Sequence, residues 1–361
     1  MKLPCLSLLC TAFAFGSPLL QAGTPVPDTV PPTVTRSTSE PKWLTGENVS
    51  LGSVLFPHMH FQSVYGQTTA DDVDHLGAGH HDAVSDGWTI QGFEFGASLR
   101  PVEWFEAFGT YHLFQDAATR DWDGEFEEWF GKIKNIPGGF ELRGGRFLNR
   151  FGFHNQTHTH GWDFVDNNLV NGRFLGDDGL YTIGGEITWT LPVSWPSLIS
   201  VSVGVAPEHE HDHEEHEGHE HEEAPFEAEG ALFNDTFVSA NWTNNWDYND
   251  FHQFRFGASG AWGDNEFGKT SQVYGLHVEY QWRENGYESG GRYFRWRTEG
   301  MLRHFDAVAE HHHEHEEEHG EHHEEEEAEE HHAESGSFSE FGIYSALAYG
   351  LGNGLELGLR G

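Results

Sequence analysis

The chain has 361 residues and carries 19 Lys and Arg against 59 Asp and Glu, a formal charge of −40. Such a surface excludes polyanionic nucleic acid as a partner. Its 13 Trp, 28 Phe, 10 Tyr and 44 Gly come without an apolar run near the roughly 18 residues of a spanning helix after the first 22 positions, which points to strands and not to helices.

Residues 1–22 read as an export signal, with Lys2 at the start, an apolar stretch from Leu3 to Phe15 and a cleavage region at Leu20-Gln21-Ala22. Cys5 and Cys10 fall inside it, so no disulfide is expected in the exported protein. A Pro- and Thr-rich segment, 23–52, follows. Residues 53–361 then read as all-β, an antiparallel transmembrane outer-membrane β-barrel of about 14 to 16 strands when complete. The predicted strands are roughly 53–65, 88–100, 102–115, 124–135, 140–151, 180–191, 197–206, 230–242, 251–263, 271–283, 291–305, 337–350 and a last one starting at 354.

Alternation carries this reading. In 270–283, Tyr274, Leu276, Val278, Tyr280 and Trp282 share one face, and Val273, His277, Glu279, Gln281 and Arg283 share the other. In 291–305, Phe294, Trp296 and Leu302 oppose Arg295, Arg297, Glu299 and Arg303. One face suits lipid and the other a wet lumen. Every second connection is short and rich in turn residues, such as Ile136-Pro137-Gly138-Gly139 and Leu351–Asn353, while most of the others are long: 66–87, 152–179, 207–229 and 306–336. That asymmetry puts the long loops outside the cell. An odd thirteenth strand would leave an unpaired edge in lipid, so the chain is expected to be C-terminally incomplete, with at least one further hairpin.

The long loops 207–229 and 306–336 contain two tracts of almost only His and Glu, which hold 15 of the 27 histidines and 22 of the 59 acids. Their composition cannot build a packed core and predicts solvated loops. Glutamate alone would serve as a solubilising spacer; histidine at nearly every second position points to metal. The candidate ligands are His209, His211, His213, His216, His219 and His221 in the first tract, and His311, His312, His313, His315, His319, His322, His323, His331 and His332 in the second. His75, His80 and His81 add to them from 66–87. Imidazole and carboxylate suit zinc, nickel and copper without strong preference. Matches to H-E-x-x-H inside the tracts arise by chance in a two-letter sequence, and no enzymatic activity is expected.

The loop 152–179 carries His154, His158 and His160, with Asp163 and Asp166 nearby, among Trp162, Phe164, Val165, Leu169, Phe174 and Leu175. So much apolar content predicts that it packs, most economically inside the lumen. Its histidines either form an ordered metal site at a constriction or only hydrogen-bond within a packed loop. The lumen-facing Arg143, Arg283, Arg295, Arg297 and Arg303 would select anions as a bare ring. Pairing with lumen carboxylates such as Glu94, Glu279 and Glu299 is the reading preferred here.

The run Gly144-Gly-Arg-Phe147, Arg150-Phe-Gly-Phe-His-Asn155, His158-Thr-His160, Phe164-Val-Asp166 and Phe174-Leu-Gly-Asp-Asp-Gly179, with Leu355–Arg360 as a late-strand pattern, resembles porin-like outer-membrane proteins of the zinc-regulated, TonB-dependent receptor group. The resemblance covers roughly 85–361. It implies uptake of zinc or a related divalent transition metal across the bacterial outer membrane. A TonB-dependent receptor also carries a plug domain, which 23–52 is too short to supply, so a passive or facilitated pore is expected. The expected function is capture of divalent metal, zinc first, on the extracellular His/Glu loops and its admission to the periplasm. The alternatives are an anion-selective or general porin, and a surface protein that sequesters metal without transport. Expected partners are the metal ions and outer-membrane lipid; assembly as a homo-oligomer is left open.

Overall fold

The structure, a computed structural model, describes residues 54–68, 81–83, 86–116, 120–207, 232–309 and 334–361. Within these, thirteen strands follow one another: β1 (Leu55–Gly66), β2 (Gly87–Val102), β3 (Phe105–Gln115), β4 (Trp122–Ile136), β5 (Phe140–Leu148), β6 (Tyr181–Thr190), β7 (Ser197–Val205), β8 (Phe233–Asn249), β9 (His252–Asn265), β10 (Thr270–Arg283), β11 (Tyr293–Ala309), β12 (Glu334–Gly350) and β13 (Glu356–Arg360). Each pairs antiparallel with its sequence neighbours, in the order β1 to β13. No pairing joins β1 to β13, so the described sheet is open at that seam.

The two faces of this sheet are inverted relative to a water-soluble protein. Inward positions bury Glu94, Thr110, Glu279, Glu299 and Arg303, whereas Met59, Leu276, Phe341 and Ile343 stand out on the other face, with Leu276 and Phe341 each 70% exposed. Tyr65, Trp88 and Trp122 are exposed near one end of the strands, and Trp104, Trp195, Trp246 and Tyr248 near the other. A continuous apolar belt of this extent is untenable in water. Between two aromatic girdles it is the lipid-facing surface of a transmembrane β-barrel.

The connections at one end, such as Glu103-Trp104 and Pro137–Gly139, are all short, whereas those at the other range from the four residues 266–269 to the long loops. The strand ends that flank the His/Glu tracts (Val205 and Phe233, Ala309 and Glu334) lie at the opposite end, together with those flanking 149–180. Two expected boundaries change. The register of β11 with β12 continues to Ala309 opposite Glu334, so 306–309 and 334–336 belong to strands and not to the tract loop. Strand β8 also runs past 242 to Asn249, because the Asn249 Oδ1 accepts the Phe251 and His252 N–H groups at 2.9 and 3.0 Å and closes a tight turn at once.

Residues 149–180 turn inward after β5 and carry two single 3-10 turns, His154–Gln156 and Thr159–Gly161, and one short helix, α1 (Leu169–Leu175), capped by Asn168 on the Asn171 N–H at 2.7 Å. The Asn149 amide hydrogen-bonds with Thr182, Ser202 and Ser239 on β6, β7 and β8, its oxygen accepting from the Ser239 hydroxyl. The Gly152 N–H donates to Ser259 on β9, Phe151 lies under Gly275 of β10, and the Phe153 and His154 N–H groups donate to Glu299 of β11 at 2.8 and 2.9 Å. Arg173 pairs with Glu340 of β12, and Arg360 of β13 with Asp166. On the other flank His160 reaches β1 and β2, and His158 reaches β4. One segment touches inward side chains of eleven strands, which requires the sheet to curl around it. Gly152 makes this possible: its φ is +61°, and a Cβ there would stand 2.1 Å from the Glu299 Oε2.

Candidate metal centre

A transverse stripe of ligand-type side chains crosses the first four strands. His60 is in register with Glu94, Glu94 with His112, and His112 with Glu125. Strict alternation would admit only every second residue of β4 to the lumen. A β-bulge opposite Tyr111, where the register shifts between Thr110 and His112, changes this. Glu127 and Glu128 are consecutive and both buried, while Phe126 and Trp129 on either side face outward. Such an extra residue re-aims side chains at the cost of one ladder pair.

The inward loop supplies the opposing ligands. His158 Nδ1 lies 3.0 Å from Glu127 Oε2 and its Nε2 2.9 Å from Glu128 Oε2. His160 Nδ1 bonds Glu94 Oε2, and its ring stacks on His60 with centroids 4.0 Å apart. His58 Nε2 is 3.8 Å from Glu94 Oε1. Nearer the loop end, His81 Nε2 lies 3.1 Å from Glu125 Oε1 and 3.5 Å from Asp178 Oδ1, with the His112 ring beside it. Arg146 is the guanidinium that enters this group, at 3.0 Å from Glu125 Oε2.

Among the described residues, three ligand sets each bring their atoms within 4.8 Å of one another: His81, His112 and Glu127; His81, Glu125 and Asp178; and Glu94, Glu127 and His158. Two imidazoles with one carboxylate, or the reverse, is a donor set for zinc and other borderline divalent cations. Burial disfavours protonation of His158, but Glu127, Glu128 and Glu94 outweigh it and raise its pKa well above the usual imidazole value. His81 behaves alike: burial lowers its pKa, and Glu125 and Asp178 raise it to about 9. Protons therefore occupy places that a cation would take.

His154 is in a different environment. Its Nε2 lies 2.8 Å from Asn167 Oδ1 and its ring stacks on Trp162, and burial with nearby Arg297 lowers its pKa to about 4. It joins none of the three ligand sets. Asp163 and Asp166 also leave the histidines: Asp163 binds Arg295 and Arg297, and Asp166 binds Arg360. On the far wall, Arg255 and Arg297 hold Glu279 at 2.9 and 2.6 Å, Arg143 and Arg150 hold Glu186, and Arg303 holds Glu340. Glu299 is used by backbone N–H groups and by the Tyr344 hydroxyl. Arg283 donates to Gln281 at 3.1 Å and, among the described residues, has no carboxylate partner. Of the candidate ligands named from the sequence, His75, His80 and all those in the two tracts lie outside the described residues.

His58, His60, His112, Glu125, Glu127, Glu128 and Asp178 had not been singled out as ligands. Each sits alone in a strand or loop, and only cross-strand register joins them. The pair His58-x-His60 was the one local signal, since alternation turns both to the same face.

A sheet that buries charge, exposes an aliphatic and aromatic belt and folds a long loop into its interior is a transmembrane β-barrel of the outer-membrane type. No family model matches the chain. A stretch of 94 residues is 33% identical to an uncharacterized protein of Aquifex aeolicus (strain VF5), covering 26% of this chain and 19% of that protein. Among solved structures, the chain is similar to OmpT in its trimer form, an outer membrane protein of Vibrio cholerae (TM-score 0.31, 8% identity, 85% of this chain and 86% of that one). It is also similar to OccK2 (OpdF) of Pseudomonas aeruginosa (TM-score 0.27, 12% identity, 85% and 88%).

Proposed function

We propose that this protein is an outer-membrane transporter for divalent metal, with zinc the first candidate, that captures the ion on its His/Glu tracts outside the cell and admits it to the periplasm. The supporting observation is the buried His/Glu cluster on the β1–β4 wall. Its members Glu125 and His112 each lie three residues from the strand ends that face the tract side. An ion released from the tracts meets this cluster before anything deeper in the lumen. Resemblance to zinc-regulated outer-membrane receptors adds to the reading, without implying TonB coupling. Imidazole-carboxylate sets bind strongly enough to concentrate the ion, and several overlapping sets allow it to leave again.

A second reading, an anion-selective pore, draws on the opposite wall. Arg255 and Arg297 pair with Glu279 there, Arg295 and Arg297 pair with Asp163, and Arg283 donates to Gln281. Zinc influx into liposomes loaded with a zinc-sensitive dye separates the two readings. Transport saturating with zinc and reduced at least tenfold in Glu127→Gln supports the metal reading. A chloride-selective reversal potential with no zinc flux supports the anion reading.

A further inference from the structure

The carboxylate of Glu127 points its two oxygens at two different ligand groups. Oε1 lies 3.3 Å from His112 Nδ1, on the side of His81; Oε2 lies 3.0 Å from His158 Nδ1, on the side of Glu94. His112 is 1% exposed, and its Nδ1 makes no hydrogen bond although that oxygen is 3.3 Å away. None of the three sets contains both His112 and His158. One ion about 2 Å from each ligand cannot serve both groups.

We propose that the cluster binds two divalent cations bridged by Glu127, one held by His81, His112 and Oε1 and the other by Glu94, His158 and Oε2. This rests on the metal reading of the same site. Charge supports a second ion: Glu94, Glu125, Glu127, Glu128 and Asp178 stand against Arg146, while Arg143 and Arg150 pair with Glu186, and a single dication leaves an excess of carboxylate. The bulge in β4 serves the bridge, because it brings Glu128 in beside Glu127 to hold the far nitrogen of His158. A carboxylate bridge of this kind holds two ions about 3.5 to 4 Å apart. The first site, with two imidazoles, favours zinc or copper; the second, with two carboxylates, is harder.

The test uses the full-length chain with its fifteen tract histidines replaced by serine, in detergent, with folding checked by the heat-dependent gel shift of barrels. Copper titration followed by electron paramagnetic resonance is expected to show two lumen ions per chain with a half-field line from a coupled pair. In Glu127→Gln the half-field line should vanish, and His158→Gln should retain one uncoupled ion. A single ion in the parent chain, or two ions without any half-field line, overturns the proposal whether or not the variants fold. Zinc flux is measured separately on the same chain: flux with only one bound ion would refute the bridge and leave the transport reading standing, whereas two coupled ions without flux would do the opposite.

Discussion

Glu127 on β4 and His158 on the inward loop meet at 3.0 Å, and this contact fastens the loop to the one wall of the lumen that is rich in imidazole. Loop position and ligand geometry are therefore set by the same pair. Because burial lowers the His158 pKa while Glu127 and Glu128 raise it further, the metal-free ring is protonated at neutral pH. A cation must displace that proton, so lumen binding of zinc should weaken as pH falls from 8 toward 6 and should release protons. Calorimetry in buffers of different ionisation enthalpy reads this directly. A heat independent of buffer would mean that His158 is not a ligand.

The Glu299 carboxylate accepts the Phe153 and His154 N–H groups and the Tyr344 hydroxyl. Glu299→Ala leaves buried donors unpaired, at about 1 to 3 kcal/mol for each. Gly152→Ala places a methyl group against the same carboxylate at a positive φ. Both variants should release the loop from the wall and raise single-channel conductance at least twofold in planar bilayers. Unchanged conductance in both would mean that residues 149–180 do not set the pore.

His154 gives the loop a second response to pH, from a pKa shifted the opposite way to that of His158. Burial and Arg297 lower its pKa to about 4, so the folded ring is neutral where a released one, with an ordinary value near 6.5, would be charged. A depressed value in the folded state means that loop stability is present above about 6.5 and is lost as pH falls toward 4, by about 3 kcal/mol in all. The His158 ion pairs do not offset this, since their contribution is constant below 6.5. Protease sensitivity of the loop should rise between pH 6.5 and 4.5, and His154→Gln should flatten that rise.

Replacing the fifteen tract histidines by serine is expected to leave the barrel's gel shift and thermal midpoint unchanged and to remove most of the zinc stoichiometry. Apart from Ala328 and Ala333, neither tract offers apolar side chains to a core. Full retention of bound zinc would place the binding elsewhere.

Arg283 is the lumen guanidinium without a carboxylate partner among the described residues. Arg283→Gln should therefore lower chloride relative to potassium permeability, with a reversal potential shifted toward cation selectivity, whereas Arg303→Gln, which loses the pair with Glu340 at 2.7 Å, should chiefly cost stability.

Period-two alternation carried most strand positions and the two faces of the sheet, because a strand exposes its side chains in turn and lipid accepts only one kind of them, while connection length, and not alternation, distinguished the two ends. The apolar content of 152–179 likewise predicted an inward loop, and Phe174 and Leu175 are buried as that required, whereas Leu169 is 68% exposed. What alternation cannot convey is which residues meet across strands. His60, Glu94, His112 and Glu125 lie far apart in the chain and become a stripe only through register. The bulge that turns both Glu127 and Glu128 inward breaks the very periodicity that a reader of the sequence relies on. Asp163 and Asp166, close to the histidines in sequence, were claimed by Arg295, Arg297 and Arg360, since the nearest strongly charged partners in the lumen belong to distant strands. Ligand sets of this kind belong to the tertiary structure, because a cation or a proton is held by atoms a few ångströms apart in space whatever their separation along the chain.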